Sequence, residues 1–256
     1  MSISDALRGQ RTLVTGASGN IGAAIATRLA AAGADVLVHF HRDDDGATQT
    51  VDGITAAGGN ATGVQADLSC EAEATALLDR MSQGGSPVSC IVNNAAVQPV
   101  AALADLTGDD WRQVMAANLD SAFYVTQAAV KYLQAAGQGG VIVNIASIEG
   151  SDPASGHSHY ATSKAGLLML TRACALEYGK AGIRCNAVSP GLIDRDGLAD
   201  DWPEGVARWL NNVPLGRMGN GADVAAAVMF LLSPEAAWIS GANLVVDGGM
   251  SAVSRW

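Results

Sequence analysis

The chain predicts a doubly wound α/β fold: one domain with a parallel sheet of about seven strands and helices on both faces. Short β-type runs alternate with longer helical patterns from one end to the other, which is the rhythm of βαβ units. Several of the strands are unbroken apolar runs, as needed when helices cover both faces of a sheet. The 256 residues, 49% hydrophobic and 16% charged, suffice for one large core and exclude a disordered chain. Aromatics make up 5%, so Ala, Val, Leu and Ile must build that core.

In order, the strands are read at residues 12–14, 36–40, 61–65, 88–92, 141–146, 184–188 and 243–246. The helical stretches between them begin near Asn20, Asp44, Glu71, Asp109, His159 and Gly221. No repeat of fixed period, low-complexity tract or linker interrupts the alternation, so residues 1–256 read as one domain. One segment breaks the rhythm. Residues 192–219 form a long excursion that carries Asp194, Arg195, Asp196, Trp202, Pro203 and Trp209, and long irregular segments of this kind usually act as lids or binding loops. Trp202 and Trp209, seven apart, can share one helical face and cover a substrate or pack the excursion onto the core.

The balance of 15 Lys+Arg against 25 Asp+Glu gives a net charge of −10, which argues against a nucleic-acid partner. The opening residues lack the apolar stretch of a secretory signal. No run approaches the ~20 apolar residues of a membrane span, so the expected location is cytoplasmic. Cys70, Cys90, Cys174 and Cys185 show neither zinc-ligand spacing nor a disulfide framework and read as buried, inert thiols. No metal is expected.

The first strand runs into Thr15-Gly-Ala-Ser-Gly-Asn-Ile-Gly22 and then a helical pattern. A glycine-rich turn between a strand and a helix lets backbone N–H groups approach a pyrophosphate, and the helix N-terminus favours its negative charge. Gly16 and Gly22 serve the tight turn and the close helix–strand packing, and Ser18, Asn20 and Ile21 lie on the turn between them. This Rossmann-type turn resembles the fingerprint T-G-x-x-x-G-x-G of the short-chain dehydrogenase/reductase family, with Asn20 in place of the middle glycine. Asn tolerates positive φ, so the turn can still form.

Three further segments match the same resemblance, each at the carboxyl end of a strand where open α/β sheets bind ligands. Asp67-Leu68 stands where the family meets the adenine. Asn93-Asn94-Ala95-Ala96 resembles its N-N-A-G motif, which brings Asn94 and Ala95 to the cofactor. Ser189-Pro190-Gly191-Leu192-Ile193 resembles the P-G loop beside the nicotinamide and implies contacts from Pro190, Gly191 and Ile193; Arg195 replaces a threonine common in the family.

Tyr160-Ala-Thr-Ser-Lys164 places a phenol and an ammonium on one helical face. The ammonium is expected to favour the phenolate and bring its pKa within reach of proton transfer. Ser147 lies thirteen residues earlier and can position a carbonyl or alcohol oxygen beside the phenol. With Asn118, which the resemblance implies holds a water linked to the lysine, these residues match the family's catalytic tetrad. The resemblance runs from Thr12 to Val246-Asp247-Gly248-Gly249. It implies a small-molecule carbonyl or alcohol substrate and hydride exchange between a nicotinamide and a secondary alcohol or its ketone. The substrate class stays open among β-ketoacyl thioesters, sugars, cyclic alcohols and dihydrodiols. A nucleotide-sensing regulator would be expected to lose Tyr160 or Lys164, and a sugar-nucleotide epimerase would need a larger C-terminal substrate domain.

His157 and His159 flank the tyrosine and read as solvated turn residues or as contacts at the substrate entrance. Glu149 reads as a solvated loop carboxylate or as a contact to a polar substrate. At the end of the second strand, Phe40 holds the position where NAD enzymes of this architecture carry an acid, and His41 and Arg42 follow. That favours NADP(H) over NAD(H), with Asp43, Asp44 and Asp45 either opening the next helix or repelling a phosphate. The stretches at 109–133 and 160–178 are apolar on several sides, so a second subunit is expected there, and the resemblance suggests a homotetramer or homodimer.

Overall fold

Seven strands run parallel in the order β3-β2-β1-β4-β5-β6-β7. They are Arg11–Val14 (β1), Asp35–Phe40 (β2), Asn60–Gln65 (β3), Val88–Asn93 (β4), Gly140–Ile145 (β5), Ile183–Pro190 (β6) and Asn243–Val246 (β7). The computed structural model describes residues 6–82 and 88–252. The first five residues of the segment read for a secretory signal lie outside the described residues. The strand readings match the observed bounds to within two residues, and that of β7 coincides with them; β6 reaches Pro190 because its pairing with β7 continues to Pro190↔Val246.

Successive strand residues face opposite layers, so the apolar runs fill two cores at once. Val14, Val38, Val92, Val143 and Ile145 pack against Asn20–Ala31 (α1) and Gly221–Leu232 (α9). Asp44–Ala56 (α2) joins the same layer through Ala47 and Ile54. Leu13, Leu37, Ile91, Ile142 and Cys185 pack against Glu71–Ser82 (α3), Ser121–Ala135 (α5) and Ser158–Tyr178 (α6). Truncating any of the fully buried leucines to alanine should cost about 2–5 kcal/mol.

The chain winds outward from β1 to β3 and then crosses back to β4. The order therefore reverses between β1 and β4, and a crevice opens at their carboxyl ends. A buried polar ladder ties the centre of the sheet to its covering helices. Asn93 Nδ2 donates to Thr126 Oγ1 (3.1 Å) and to Asn144 Oδ1 (2.8 Å), and Asn144 Nδ2 donates to Thr171 Oγ1 (2.8 Å). Nothing in the hydrophobic pattern announced that ladder.

Two expectations change. The excursion at 192–219 is half helical, with Leu198–Asp201 (α7) and Pro203–Asn212 (α8), the second opened by Pro203, a first-turn residue that needs no N–H partner. Cys70 is exposed, while Cys90, Cys174 and Cys185 are buried. At the opposite end of the strands a cavity of about 700 Å³ is lined by Gln10, Gly140, Arg184 and Trp238. There Arg184 donates to the carbonyls of Leu231 and Ser233 at the end of α9, a capping arrangement for a cation. Among the described residues no helix is long and apolar enough to cross a membrane.

Candidate active site

The glycine turn is held from β4. Thr15 Oγ1 accepts the N–H groups of Asn94 (2.8 Å) and Ala95 (3.0 Å), and Asn94 Nδ2 donates to the carbonyls of Thr15 and Gly16, both at 2.9 Å. Asn94 therefore spends its side-chain N–H groups on the turn. Only glycine fits at two positions. A Cβ at Gly16, where φ is +61°, would lie 2.8 Å from Ala95 Cα, and one at Gly22 would lie 2.1 Å from the Gly16 carbonyl oxygen. Asn20 takes φ 47°, the left-handed region that the sequence reading allowed it.

Gly19 caps α1 with no side-chain hydrogen bond, and the first turn of α1 carries no acidic residue. Its leading N–H groups are open to an anion, and no group lies within 4 Å of where a Gly19 Cβ would stand. These residues fit the pyrophosphate of a dinucleotide.

A residue the sequence reading passed over supports the turn from beneath. His39 Nδ1 accepts the Gly16 N–H at 3.1 Å, and Nε2 lies 3.1 Å from the Ala66 carbonyl, so the neutral ring with its proton on Nε2 satisfies both. Burial brings its pKa down to about 4. The available signal was a lone histidine inside the apolar run Val38-His39-Phe40.

Where β2 ends, Phe40 is buried and His41 and Arg42 are exposed. His41 Nε2 lies 3.8 Å from the Asp67 carboxylate, and Arg42 has no ion pair among the described residues. The Ser69 hydroxyl holds the Asp67 carboxyl below its usual range, helped by the nearby His41 and Arg42. Asp43 accepts the Gly46 N–H and caps α2, which answers how the acidic run is used, and Asp44 and Asp45 occupy the exposed first turn. A Cβ at Gly46 would stand 2.4 Å from the Ser18 carbonyl, so α2 begins against the glycine turn. Leu68 is buried in the core, which leaves only its main chain for a ligand.

Ser147 follows β5, and Tyr160 and Lys164 stand one turn apart at the start of α6; all three are buried. Lys164 Nζ donates to the Ile145 carbonyl (2.8 Å) and sits 5.6 Å from the centre of the Tyr160 ring. The expected depression of the phenol does not occur in the free chain. Burial pushes Tyr160 up to about 12, outweighing its hydrogen bond with Ser147, and brings the Lys164 ammonium down to about 8. Both groups pay for leaving water, and the lysine answers with a carbonyl instead of the phenol.

Asn118 lies in a π-helical turn, Ala116–Asp120, between Gly108–Met115 (α4) and α5. The Ser121 N–H reaches the Ala116 carbonyl five residues back, leaving the Ala117 carbonyl to Ser121 Oγ. The side chain of Asn118 is committed elsewhere than to the lysine. Its Nδ2 donates to the Val97 carbonyl (2.9 Å) and to Ser163 Oγ (3.1 Å), and its Oδ1 accepts the Val97 N–H.

The loop readings around the tyrosine also change. His159 is fully buried, with neither ring nitrogen hydrogen-bonded, and is no solvated turn residue. Glu149 is paired with His157 at 2.9 Å and is no free loop carboxylate. Pro190 is buried at the end of β6, and a Cβ on Gly191 would strike the Trp209 ring at 2.7 Å, so the excursion packs directly on the P-G loop. Trp202 precedes α8 and stacks on Gly205, with Arg208 over its ring. Ile193 pairs with Gly219 where the excursion leaves and returns, and Arg195 pairs with Asp201 inside it.

At the carboxyl edge of the sheet the chain thus gathers a dinucleotide cradle and, beside it, a buried phenol, hydroxyl and ammonium that can exchange a proton with a bound oxygen. A family profile described as enoyl-(acyl carrier protein) reductase matches residues 16–251. The 3beta-hydroxysteroid dehydrogenase 1 of Eggerthella lenta is 38% identical over 251 residues, covering 96% of this chain and 95% of that protein. The (3R)-3-hydroxyacyl-CoA dehydrogenase of Mus musculus is 40% identical, covering 95% and 97%. A crystal structure of a candidate 2-deoxy-D-gluconate 3-dehydrogenase from Agrobacterium tumefaciens with bound NADP is 36% identical. It superposes with a TM-score of 0.89 over 98% of this chain and all of that one. The protein belongs to the short-chain dehydrogenase/reductase family.

Proposed function

We propose that the protein interconverts a secondary alcohol and its ketone, with Tyr160 as the acid/base. The reading is carried by one juxtaposition: Ser147, Tyr160 and Lys164 meet at the carboxyl edge of the sheet, the edge that also carries the uncapped start of α1. When bound, the nicotinamide supplies the hydride for reduction and accepts it in oxidation. In the reductive direction the Ser147 hydroxyl orients and polarises the carbonyl oxygen, and the Tyr160 O–H gives that oxygen its proton. In oxidation Tyr160 takes the alcohol proton back. Lys164 would hold the nicotinamide ribose and, freed from the Ile145 carbonyl, would lower the cost of the phenolate. Asn118 keeps the loop after β4 in place. Gly16, Ser18, Asn20, Ile21, Gly22, Asn94, Ala95, Pro190, Gly191 and Ile193 form the cradle, with Asp67 and Leu68 at the adenine.

NADP(H) is the favoured cofactor, because Arg42 is exposed and uncommitted where a 2′-phosphate would lie. Residues 192–219 serve as the substrate lid, hinged where Ile193 meets Gly219. The reading includes a small-molecule substrate, a cytoplasmic location, where nicotinamide dinucleotides are held, and a homotetramer or homodimer. A panel of alcohols and ketones assayed with both cofactors at the reduced-nicotinamide absorbance tests it. Turnover that depends on Tyr160 supports the reading, and no turnover on any member contradicts it.

A further inference from the structure

Three loops at the carboxyl edge supply one polar network beside Ser147 and Tyr160. Gln98 follows β4, Glu149 follows β5, and His157 precedes α6. Both Glu149 oxygens meet His157 Nδ1, at 3.2 and 2.9 Å, and Oε1 also accepts from Gln98 Nε2 at 3.1 Å. The Glu149 N–H donates to Ser147 Oγ at 3.1 Å, and the His157 ring stands edge-on to Tyr160 with centroids 6.0 Å apart. The Glu149 and His157 side chains are only 14% and 15% exposed.

The pair is thus drawn largely out of water at the place where a substrate oxygen would meet the phenol. His157 Nε2 and Gln98 Oε1 have no hydrogen-bond partner among the described residues; Gln98 is exposed, and Nε2 is not among the buried unpaired atoms. A substrate that covers them takes them out of solvent and must supply their hydrogen bonds itself. A hydrocarbon substrate would leave both unpaired, and an anionic group would face the Glu149 carboxylate. A neutral hydroxyl on the next carbon does neither: the Glu149 carboxylate keeps a proton on His157 Nδ1, so Nε2 is left to accept, and the hydroxyl donates to it or to Gln98 Oε1.

We infer that Glu149, His157 and Gln98 are specificity-determining residues that select a neutral substrate with a second hydroxyl beside the reacting carbon, a vicinal diol or polyol. The inference rests on the oxidoreductase reading above. A site built to bond a hydroxyl discriminates steeply against the analogue that lacks it.

The test compares cis-1,2-cyclohexanediol with cyclohexanol, each with NADP⁺ and NAD⁺, in the wild type and in Glu149→Leu, His157→Phe and Gln98→Leu. The wild type should favour the diol at least about 30-fold in kcat/KM, and the ratio should fall to within about threefold in Glu149→Leu and His157→Phe. Circular dichroism checks each variant. If the two less exposed replacements fail to fold, the exposed Gln98→Leu carries the test with a smaller fall in the ratio. A network that merely ties the loops together would slow both alcohols alike and leave the ratio unchanged, which overturns the inference. Wild-type activity on cyclohexanol that depends on Tyr160, with no diol preference, also overturns it while the oxidoreductase reading stands. Turnover of neither alcohol overturns the inference, while the oxidoreductase reading is decided by the wider panel.

Discussion

The side-chain amide of Asn118 closes two hydrogen bonds on the backbone of Val97, accepting its N–H at 2.8 Å and donating to its carbonyl at 2.9 Å. A helix-borne asparagine thus pairs with the loop after β4 as a neighbouring strand would. That loop begins with Asn94 and Ala95, which hold Thr15, so the π-helical turn, the loop and the glycine turn form one mechanical unit.

Asn118→Leu strands both backbone groups of Val97. We expect a loss of about 1–3 kcal/mol and, at this size, a fall in Tm of about 2–4 °C for each kcal/mol. Activity should fall with it, since the loop flanks the site. Calorimetry showing an unchanged Tm would mean that the pairing carries no stability.

His39 gives a pH dependence of known sign. Its folded pKa, about 4, lies below the ordinary value of 6.5, so the unfolded chain takes up the proton first. Its contribution is complete above pH 6.5 and is lost as pH falls toward 4, by up to about 3 kcal/mol. Denaturant unfolding of wild type and His39→Asn at pH 7 and pH 5 should show the smaller pH effect in the variant. Equal losses in both would mean that His39 does not set this pH dependence.

Cofactor choice rests on Arg42. A charge-assisted pair with a 2′-phosphate contributes about 1.5–3 kcal/mol, so Arg42→Ala should raise the KM for NADP(H) about 10- to 100-fold and that for NAD(H) far less. Equal effects on both cofactors, or a wild-type preference for NAD(H), would contradict the assignment.

The expectation of a second subunit rests on one face of α6. Met169 and Leu176 are 60% and 85% exposed on it, and Phe123 of α5 is also exposed. Sedimentation at micromolar concentration should give a dimer or tetramer, and Met169→Glu should shift it toward monomer. A monomeric wild type would contradict that reading.

The sheet was legible because its strands are apolar runs set between helical patterns, and the cradle because Gly16 and Gly22 stand where no Cβ fits. Tyr160 and Lys164 were legible through their four-residue spacing. The internal helices of the excursion were obscured by its short apolar stretches and several acids. The Glu149–His157 pair was invisible because it joins two loops whose approach depends on the whole sheet. The protonation of Tyr160 could not be read either. An adjacent lysine favours the phenolate, but burial is a tertiary property, and here it decides the direction.

Tyr160→Phe removes the proton donor and leaves the rest of the site in place. The variant should bind the nicotinamide cofactor nearly as the wild type does, by fluorescence titration, and lose at least about 100-fold in turnover, the usual contribution of a positioned acid/base. Lys164→Ala should damage both binding and turnover. Because the phenol is protonated at neutral pH, wild-type alcohol oxidation should also speed up between pH 7 and pH 9. Turnover in Tyr160→Phe above a few per cent of wild type, on the same substrate and cofactor, would contradict the mechanism.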